Sequence, residues 1–200
     1  MKVSHWVFAA LIGIMSLVSC SENLSNKGDQ LYSEGKFQEA VIEYDNVLKN
    51  KPKYVKALYN RGRAYEEMGD FSKAEKDFLA AYAQDNKNTQ VLLSLSNIYQ
   101  KQKNHNSALL YADAATQIPG APAMAFFMKG RALHQIGSTE DAMKEYSLAI
   151  QIDKDFGQAY YYRGMLKIAT DRKRSGCEDI RAAIKLDYAD AKPALEKYCK

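Results

Sequence analysis

Small and apolar residues recur at a fixed spacing of 34 along most of the chain. The clearest of these repeated positions, or registers, holds alanine four times and glycine at its last occurrence: Ala40, Ala74, Ala108, Ala142 and Gly176. Within one period, from Leu58 to Ala81, small or apolar residues follow steps of three and four that are interrupted at Gly69 and Asp70. Such steps place residues on one face of a helix. Each period therefore predicts two helices joined by a tight turn, that is, a helical hairpin.

Two glycine registers share the same spacing. One lies in the first helix of each period and has Ser96 in its missing place: Gly28, Gly62, Gly130 and Gly164. The other lies at the turn, with Lys103 in place of a glycine: Gly35, Gly69 and Gly137. We expect the first register to mark a close crossing of two helices, where a larger side chain would hold the backbones apart. Because one hairpin cannot cover its own apolar faces, the hairpins must stack on their neighbours.

The aromatic positions Tyr44, Phe78 and Tyr146 and the closing Pro52 complete a pattern that resembles the tetratricopeptide repeat. The resemblance implies an all-α protein, a right-handed α-solenoid of five helical hairpins followed by a C-terminal capping helix. The five repeats are expected at residues 21–54, 55–88, 89–122, 123–156 and 157–190. The capping helix is expected at residues 191–200.

The N-terminus carries an apolar run of about a dozen residues, from Val7 to Val18, preceded by the single cation Lys2. This length is typical of a signal peptide and is short of the ~20 residues that a membrane span needs. The sequence Leu17-Val18-Ser19-Cys20 resembles the bacterial lipobox. The resemblance implies that residues 1–19 are a cleaved lipoprotein signal peptide and that Cys20 carries the lipid. An ordinary secretory signal with a chance cysteine is the alternative.

Composition and charge exclude several classes of function. The chain is 46% hydrophobic and 26% charged, as in ordinary globular proteins, and its formal net charge is +4. That excess is too small to favour a sequence-independent nucleic-acid binder. His105 and His134 have no nearby cysteine or second histidine in the sequence, so no metal site is predicted. No nucleophile, base and orienting group come together, and we expect neither enzymatic activity nor a cofactor.

Two cysteines remain once Cys20 is lipidated. Cys177 lies early in the second helix of the fifth repeat, and Cys199 lies on the expected capping helix. The two helices should pack antiparallel, and at 1.5 Å per residue the cysteines reach similar heights. Disulfides persist in oxidising compartments such as the periplasm. A Cys177–Cys199 disulfide is therefore predicted, with two buried thiols as the alternative.

In the family, the first helices of the hairpins line a concave groove. Several of their residues are aromatic, methionine, arginine or amide types that packing does not obviously explain. The candidate groove residues are Tyr59, Asn60, Arg63, Leu93, Asn97, Met124, Phe127, Met128, Arg131, Tyr161 and Tyr162. Aromatic, methionine and arginine side chains are enriched where proteins bind one another. The alternative is that some of them, Leu93 and Phe127 above all, belong to the core between hairpins.

Some family members are chaperone-binding modules that clamp a peptide's terminal carboxylate with lysine, asparagine and arginine. The corresponding places hold Ser25, Asp29, Asn60, Gln90 and Ser94, so that clamp is not predicted. The expected function is a membrane-anchored interaction scaffold in the bacterial cell envelope. It would bind a peptide segment of an envelope protein in the groove and bind no nucleic acid. With Ser21 rather than Asp after Cys20, the chain resembles lipoproteins that are sent on to the outer membrane, and this resemblance implies an outer-membrane location facing the periplasm.

The alternative function is structural. The chain would then be an assembly subunit of an outer-membrane complex, similar in plan to the repeat lipoproteins of barrel or pilus-secretin assembly. A homodimer that does not use the groove for peptide capture is the other form of this alternative.

Overall fold

The computed structural model describes residues 25–200, and all regular secondary structure in that part of the chain is helical. The helices are α1 (Asn26–Ser33), α2 (Phe37–Asn50), α3 (Val55–Glu67), α4 (Phe71–Gln84), α5 (Thr89–Lys101), α6 (His105–Thr116), α7 (Ala123–Ile136), α8 (Thr139–Ile152), α9 (Gly157–Ala169), α10 (Lys173–Lys185) and α11 (Ala191–Tyr198). None of these helices is long and apolar enough to cross a membrane. The predicted signal peptide at 1–19 and the predicted lipidation site Cys20 lie outside the described residues.

The described chain forms two compact units, residues 25–86 and residues 87–200. In the first unit each of the helices α1 to α4 packs on the next one along the chain. In the second unit the same order holds from α5 to α11, and α5 also contacts α7. Residues 25–200 are therefore all-α and form five helical hairpins, two stacked in the first unit and three stacked in the second, as in an α-solenoid, with α11 packed on α10 as a C-terminal cap.

In three of the hairpins, a glycine of the first helix lies directly beneath an aromatic ring of the second helix. A Cβ atom added at Gly62 would lie 2.7 Å from the ring of Phe78, and one at Gly130 would lie 2.7 Å from the ring of Tyr146. Gly28 and Tyr44 repeat this arrangement with 2.6 Å. An aromatic ring at this position therefore fits only when the residue opposite it on the first helix is glycine.

In the third hairpin, different residues lie where the two helices cross. Ala112 stands where the other rings lie, and the space allows Ser96 to replace the glycine. The Ser96 hydroxyl is fully buried and donates a hydrogen bond of 2.9 Å to the carbonyl oxygen of Ala108. The hydroxyl is therefore satisfied, as buried polar groups normally are.

The turn inside each hairpin contains one residue in the left-handed conformation. Glycine occupies this place at Gly35, Gly69 and Gly137, with φ between 75° and 91°. Lys103 and Asp171 occupy the same place in the third and fifth hairpins, with φ of 61° and 60°. The turn geometry is thus common to all five hairpins, although glycine marks only three of them in the sequence.

The cap α11 closes the apolar end of the second unit. Ala191 and Ala194 pack with Ile180 and Ala183 of α10 in one buried cluster. The predicted disulfide between Cys177 and Cys199 is present, with 5.8 Å between the two Cα atoms. It links the start of α10 to the end of α11, as expected for antiparallel neighbours.

Candidate functional site

The predicted groove residues all lie on the first helices of hairpins. Tyr59, Asn60 and Arg63 lie on α3 in the first unit. The other eight lie in the second unit: Leu93 and Asn97 on α5, Met124, Phe127, Met128 and Arg131 on α7, and Tyr161 and Tyr162 on α9. The two sets are described separately below.

In the first unit, the carboxylate of Asp29 organises the face of the first helices. It accepts hydrogen bonds from the Tyr44 hydroxyl at 2.9 Å and from the Asn60 amide at 2.8 Å. The Lys56 ammonium lies 2.8 Å from its other oxygen. Burial alone would raise the pKa of Asp29, but the hydrogen bonds from Lys56, Tyr44 and Asn60 outweigh burial and lower it. Asp29 therefore stays ionised, and Asn60 is already engaged within the chain.

Arg63 belongs to an aromatic cluster beside this carboxylate. Its guanidinium carbon lies 4.5 Å from the centre of the Tyr32 ring and 5.9 Å from that of Tyr59. The Tyr32 hydroxyl donates to Glu67 at 3.3 Å. Positions over an aromatic face within ~6 Å are favourable for a cation. The polar groups of this face thus find most of their partners inside the first unit.

In the second unit, Phe127 and Met128 are not surface residues, which corrects the sequence-based assignment. Phe127 is 2% exposed and Met128 is 6% exposed. The Phe127 ring lies 5.0 Å from the ring of Phe156 and 5.6 Å from those of Tyr146 and Tyr162. A first helix in a stack of hairpins is covered by its own hairpin and by the next one, so these two side chains form core. Leu93 also packs partly against this core.

The remaining groove residues of α7 and α9 form a partly exposed surface. Met124 is 40% exposed, and Arg131 lies two turns further along α7. The Arg131 guanidinium is 6.0 Å from the centre of the Tyr162 ring, and the rings of Tyr161 and Tyr162 are perpendicular at 5.4 Å. We call these four residues, Met124, Arg131, Tyr161 and Tyr162, the α7–α9 face. Asn97, on α5, is partly buried.

One residue of this face and one buried residue packed against it lack a hydrogen-bond acceptor among residues 25–200. Among residues 25–200, no carboxylate pairs with Arg131. The Tyr146 hydroxyl is fully buried and has no hydrogen-bond partner in the part of the chain that the structure describes. Burial raises the pKa of Tyr146, and the positive charge of Arg131 opposes that rise. Burial also lowers the pKa of His134, one turn beyond Arg131 on α7, so this imidazole is neutral at pH 7.

Sequence reasoning missed a set of cations that join successive second helices. Arg61 donates to both carboxylate oxygens of Asp77 at 2.7 and 2.6 Å, and to Asp45 at 2.5 Å. Asp45 lies on α2 and Asp77 on α4, so the guanidinium of α3 connects the two. The hydrogen bonds with Asp77 raise the pKa of Arg61 further above its already high value. Such bidentate pairs are among the strongest in proteins.

The same arrangement returns in the second unit. Lys129 of α7 lies 2.9 Å from Asp113 on α6 and 2.9 Å from Glu145 on α8. Arg163 of α9 donates to both oxygens of Asp179 on α10, at 2.8 and 2.7 Å, and to the Ser147 hydroxyl on α8 at 3.0 Å. Each cation thus connects its own hairpin to the preceding one.

A signal for these cations is present in the sequence. Lys27, Arg61, Lys129 and Arg163 occupy one register of the 34-residue period, and Glu43, Asp77, Glu145 and Asp179 occupy the register 16 residues later. The third repeat has Leu95 and Tyr111 at these two places, and Leu95 is fully buried. A buried apolar residue thus replaces the cation in that hairpin. These residues support the stack, and their partners leave them little capacity for a ligand.

The basic turn of the fifth hairpin also has internal partners. Arg172 pairs with Glu140, Lys173 donates to the carbonyl oxygen of Lys200 at 3.0 Å, and Arg174 lies 3.6 Å from Glu178. No group of three or more potential metal ligands exists among residues 25–200. The α7–α9 face is therefore the best candidate for binding in the part of the chain that the structure describes.

Three sequence models of repeat families match the chain. A model described as TPR repeat matches residues 28–69, and two described as tetratricopeptide repeat match residues 55–88 and 123–156. The protein O-mannosyl-transferase TMTC1 from Homo sapiens is 28% identical over 148 residues, which are 72% of this chain and 17% of TMTC1. The chain spans about a sixth of the length of the curated relatives it matches.

Solved structures share the fold. YrrB, described as a TPR protein with an unusual peptide-binding site, has a TM-score of 0.72 and 21% identity, covering 90% of this chain and 97% of YrrB. PilF from Pseudomonas aeruginosa has a TM-score of 0.77 and 14% identity, covering 82% of this chain and 75% of PilF. At this level of identity the likeness establishes the stacked-hairpin fold.

Proposed function

Because the chain is a tetratricopeptide-repeat protein, we propose that it is a non-enzymatic scaffold that binds a peptide segment of another protein at its first helices. The observation that carries this proposal is the α7–α9 face. Packing of the hairpins leaves Met124 40% exposed and leaves Arg131 without a carboxylate partner among the described residues. Side chains that the fold does not need are available to a partner.

The residue types of this face suit a polypeptide ligand. Aromatic, methionine and arginine side chains are enriched in protein interfaces. Methionine is flexible and adapts to differently shaped apolar groups. YrrB, which shares the fold, is described as having a peptide-binding site. That description supports the class of ligand proposed for this chain, a peptide, and nothing finer.

We place the scaffold in the bacterial cell envelope, held at the outer membrane by a lipid on Cys20. The support is the lipobox-like sequence 17–20 after an apolar run of signal-peptide length. A disulfide between Cys177 and Cys199 is consistent with an oxidising compartment. The partner would then be an envelope protein close to the membrane.

Selection of peptides tests the proposal. The full-length chain, purified in mild detergent, is used to select binders from a display library of random 12-residue peptides. The affinity of a selected synthetic peptide is then measured by calorimetry. We expect Met124→Ala to weaken binding at least fivefold and Leu110→Ala to leave it unchanged, because Leu110 is 64% exposed on the second helix α6. Failure to select any peptide, or equal effects of the two substitutions, would contradict the proposal.

The structural alternative has an observation of its own. Three apolar residues on second helices are more than half exposed: Ile42, Leu110 and Ile152. Exposed apolar side chains at such places suit a fixed contact with another subunit. Light scattering over a range of concentrations distinguishes the peptide-binding scaffold from the homodimer. A homodimer would have twice the mass of the monomer, and Leu110→Asp or Ile152→Asp would return it to the monomer mass.

A further inference from the structure

The same repeat positions carry a complete polar cluster in the first unit and an incomplete one in the second. In the first unit the cluster is Asp29, Tyr44, Lys56 and Asn60. The residues three periods further along the chain are Arg131, Tyr146, Gln158 and Tyr162. The backbone plan is shared, so the contacts of the first cluster indicate what the second one lacks.

The first cluster is built around one carboxylate. Asp29 accepts the Tyr44 hydroxyl at 2.9 Å and the Asn60 amide at 2.8 Å, and it pairs with Lys56 at 2.8 Å. The tyrosine of the second helix therefore points its hydroxyl at an acid on the first helix of the same hairpin. Every donor in the cluster has its acceptor.

In the second unit the acid of this position is replaced by a cation. Arg131 stands where Asp29 stands three periods earlier, and Tyr146 keeps the place of Tyr44. The Tyr146 hydroxyl is fully buried without a partner, and no carboxylate among the described residues pairs with Arg131. A guanidinium only donates hydrogen bonds. Two donors thus occupy the repeat positions at which the first unit has an acid and a donor, and among residues 25–200 the acceptor is missing.

An unpaired buried hydroxyl is unfavourable, and native proteins rarely keep one without a reason. Arg131 and Tyr162 are both half-buried, and the guanidinium lies against the Tyr162 ring at 6.0 Å. The Tyr162 ring also lies 6.0 Å from the Tyr146 ring, so these side chains must move for a carboxylate to reach the hydroxyl. The site is therefore adjacent to the surface that the proposed function uses.

We propose that Arg131 and the Tyr146 hydroxyl bind the carboxylate of an aspartate or glutamate side chain of the bound peptide. The peptide supplies from outside the acceptor that Asp29 supplies within the first unit. This inference rests on the proposed function, because it defines the chemistry of the partner at the α7–α9 face.

The spacing on α7 adds a second element of specificity. Met124 and Arg131 are seven residues apart, two turns of one helix face, or about 10 Å at 1.5 Å per residue. An extended peptide covers this distance with about three residues at ~3.3 Å each. Alternate side chains of an extended peptide point to the same face. The ligand is therefore a segment with an acidic residue and a large apolar residue two or four positions apart, the apolar side chain lying on Met124.

The selected peptides also test this inference. We expect them to be enriched in an acidic residue two or four positions from an apolar one. Changing that Glu to Gln, or Asp to Asn, should weaken binding about tenfold, as expected for loss of a hydrogen-bonded charge. Arg131→Gln should weaken binding of the acidic peptide by a similar factor and should leave binding of the amide peptide almost unchanged. Tyr146→Phe should weaken binding of the acidic peptide about threefold to tenfold.

Arg174→Gln is the matched control, because it also removes one positive charge, and the Arg174 side chain is 96% exposed at the far turn of the fifth hairpin. It should leave both affinities unchanged. Arg131→Lys keeps the charge and should lose only part of the preference for the acid.

Two results would overturn this inference and leave the proposed function standing. In the first, binding depends on Met124 but the peptides show no preference for an acidic residue. In the second, the preference for an acidic residue persists in Arg131→Gln. If no peptide binds at all, both fall. Tyr146→Phe removes only an unpaired hydroxyl, so it tests the site even if Arg131→Gln does not fold.

Discussion

Tyr44 and Tyr146 occupy one repeat position but differ in what their hydroxyls contact. The Tyr44 hydroxyl donates to the ionised carboxylate of Asp29, whereas the Tyr146 hydroxyl has no hydrogen-bond partner among the described residues. Tyr44→Phe should therefore lower the free energy of unfolding by about 1–2 kcal/mol, because it removes a hydrogen bond to a charged group. Tyr146→Phe should be neutral or stabilising, because it removes a buried group that was never satisfied.

Urea unfolding followed by circular dichroism measures both changes. Each variant is the control for the other, since both replace a tyrosine by phenylalanine over a bare glycine of the first helix. Equal losses in the two variants would mean that the Tyr146 hydroxyl has a partner in solution that the structure does not contain, and the proposed carboxylate site would lose its main support.

The sequence predicted which residues lie on the first helices but not which of them are exposed. Met124 and Phe127 differ little in the periodic pattern, yet one is 40% exposed and the other 2%. The difference arises because Phe156 and Tyr162, from the following hairpin, close over Phe127. Burial of this kind depends on the sizes of side chains about 30 residues away, which periodicity does not encode.

At the scale of the hairpin, all five turns contain a left-handed residue, but the sequence marks only three of them with a glycine. The left-handed residue is glycine in three hairpins, but Lys103 and Asp171 adopt the same conformation. The glycine register indicates the turn because glycine reaches positive φ without steric cost. It cannot show that other residues take the same conformation where the stack imposes it.

Lys103→Gly should raise the free energy of unfolding by about 0.5–1 kcal/mol, because it relieves a left-handed conformation that costs other residues about 1–2 kcal/mol. The greater flexibility of glycine in the unfolded chain offsets part of the gain. Gly137→Ala, with φ of 91°, should lower stability by about 1 kcal/mol or more. Chemical denaturation measures both variants.

The control for Lys103→Gly is Lys103→Ala, which removes the same charge but keeps a Cβ atom. No gain is expected from it. A gain as large as that of Lys103→Gly would assign the effect to the charge and would remove backbone strain as the cause.

The cations that join successive second helices show what else the sequence could have predicted at this scale. Arg61 and Asp77, like Arg163 and Asp179, are 16 residues apart on registers of the same period. A search for periodic charges would have found them as readily as the periodic alanines were found. A second contact with the preceding hairpin, to Asp45 or Ser147, could not be predicted, because it depends on how two hairpins are placed side by side.

At the scale of the whole molecule, the proposed function depends on where the scaffold is held, and we propose that a lipid on Cys20 holds it. Only five residues separate Cys20 from the first residue of α1, Asn26. A lipid on Cys20 would hold the first unit next to the bilayer, because five extended residues reach no more than ~18 Å. The first hairpins would then be close to the membrane.

In a bacterial host, the wild-type chain should be in the membrane fraction, with a mature mass that begins at Cys20 and includes a diacylglycerol. Cys20→Ala should abolish lipidation and leave the chain either unprocessed or released from the membrane, because one lost acylated residue removes the whole anchor. Fractionation and intact mass spectrometry measure both outcomes. The double change Cys177→Ser and Cys199→Ser removes the other two thiols and should leave the chain in the membrane fraction. A wild-type chain with an unmodified Cys20 would show that the N-terminal segment is an ordinary secretory signal and that the scaffold acts unanchored.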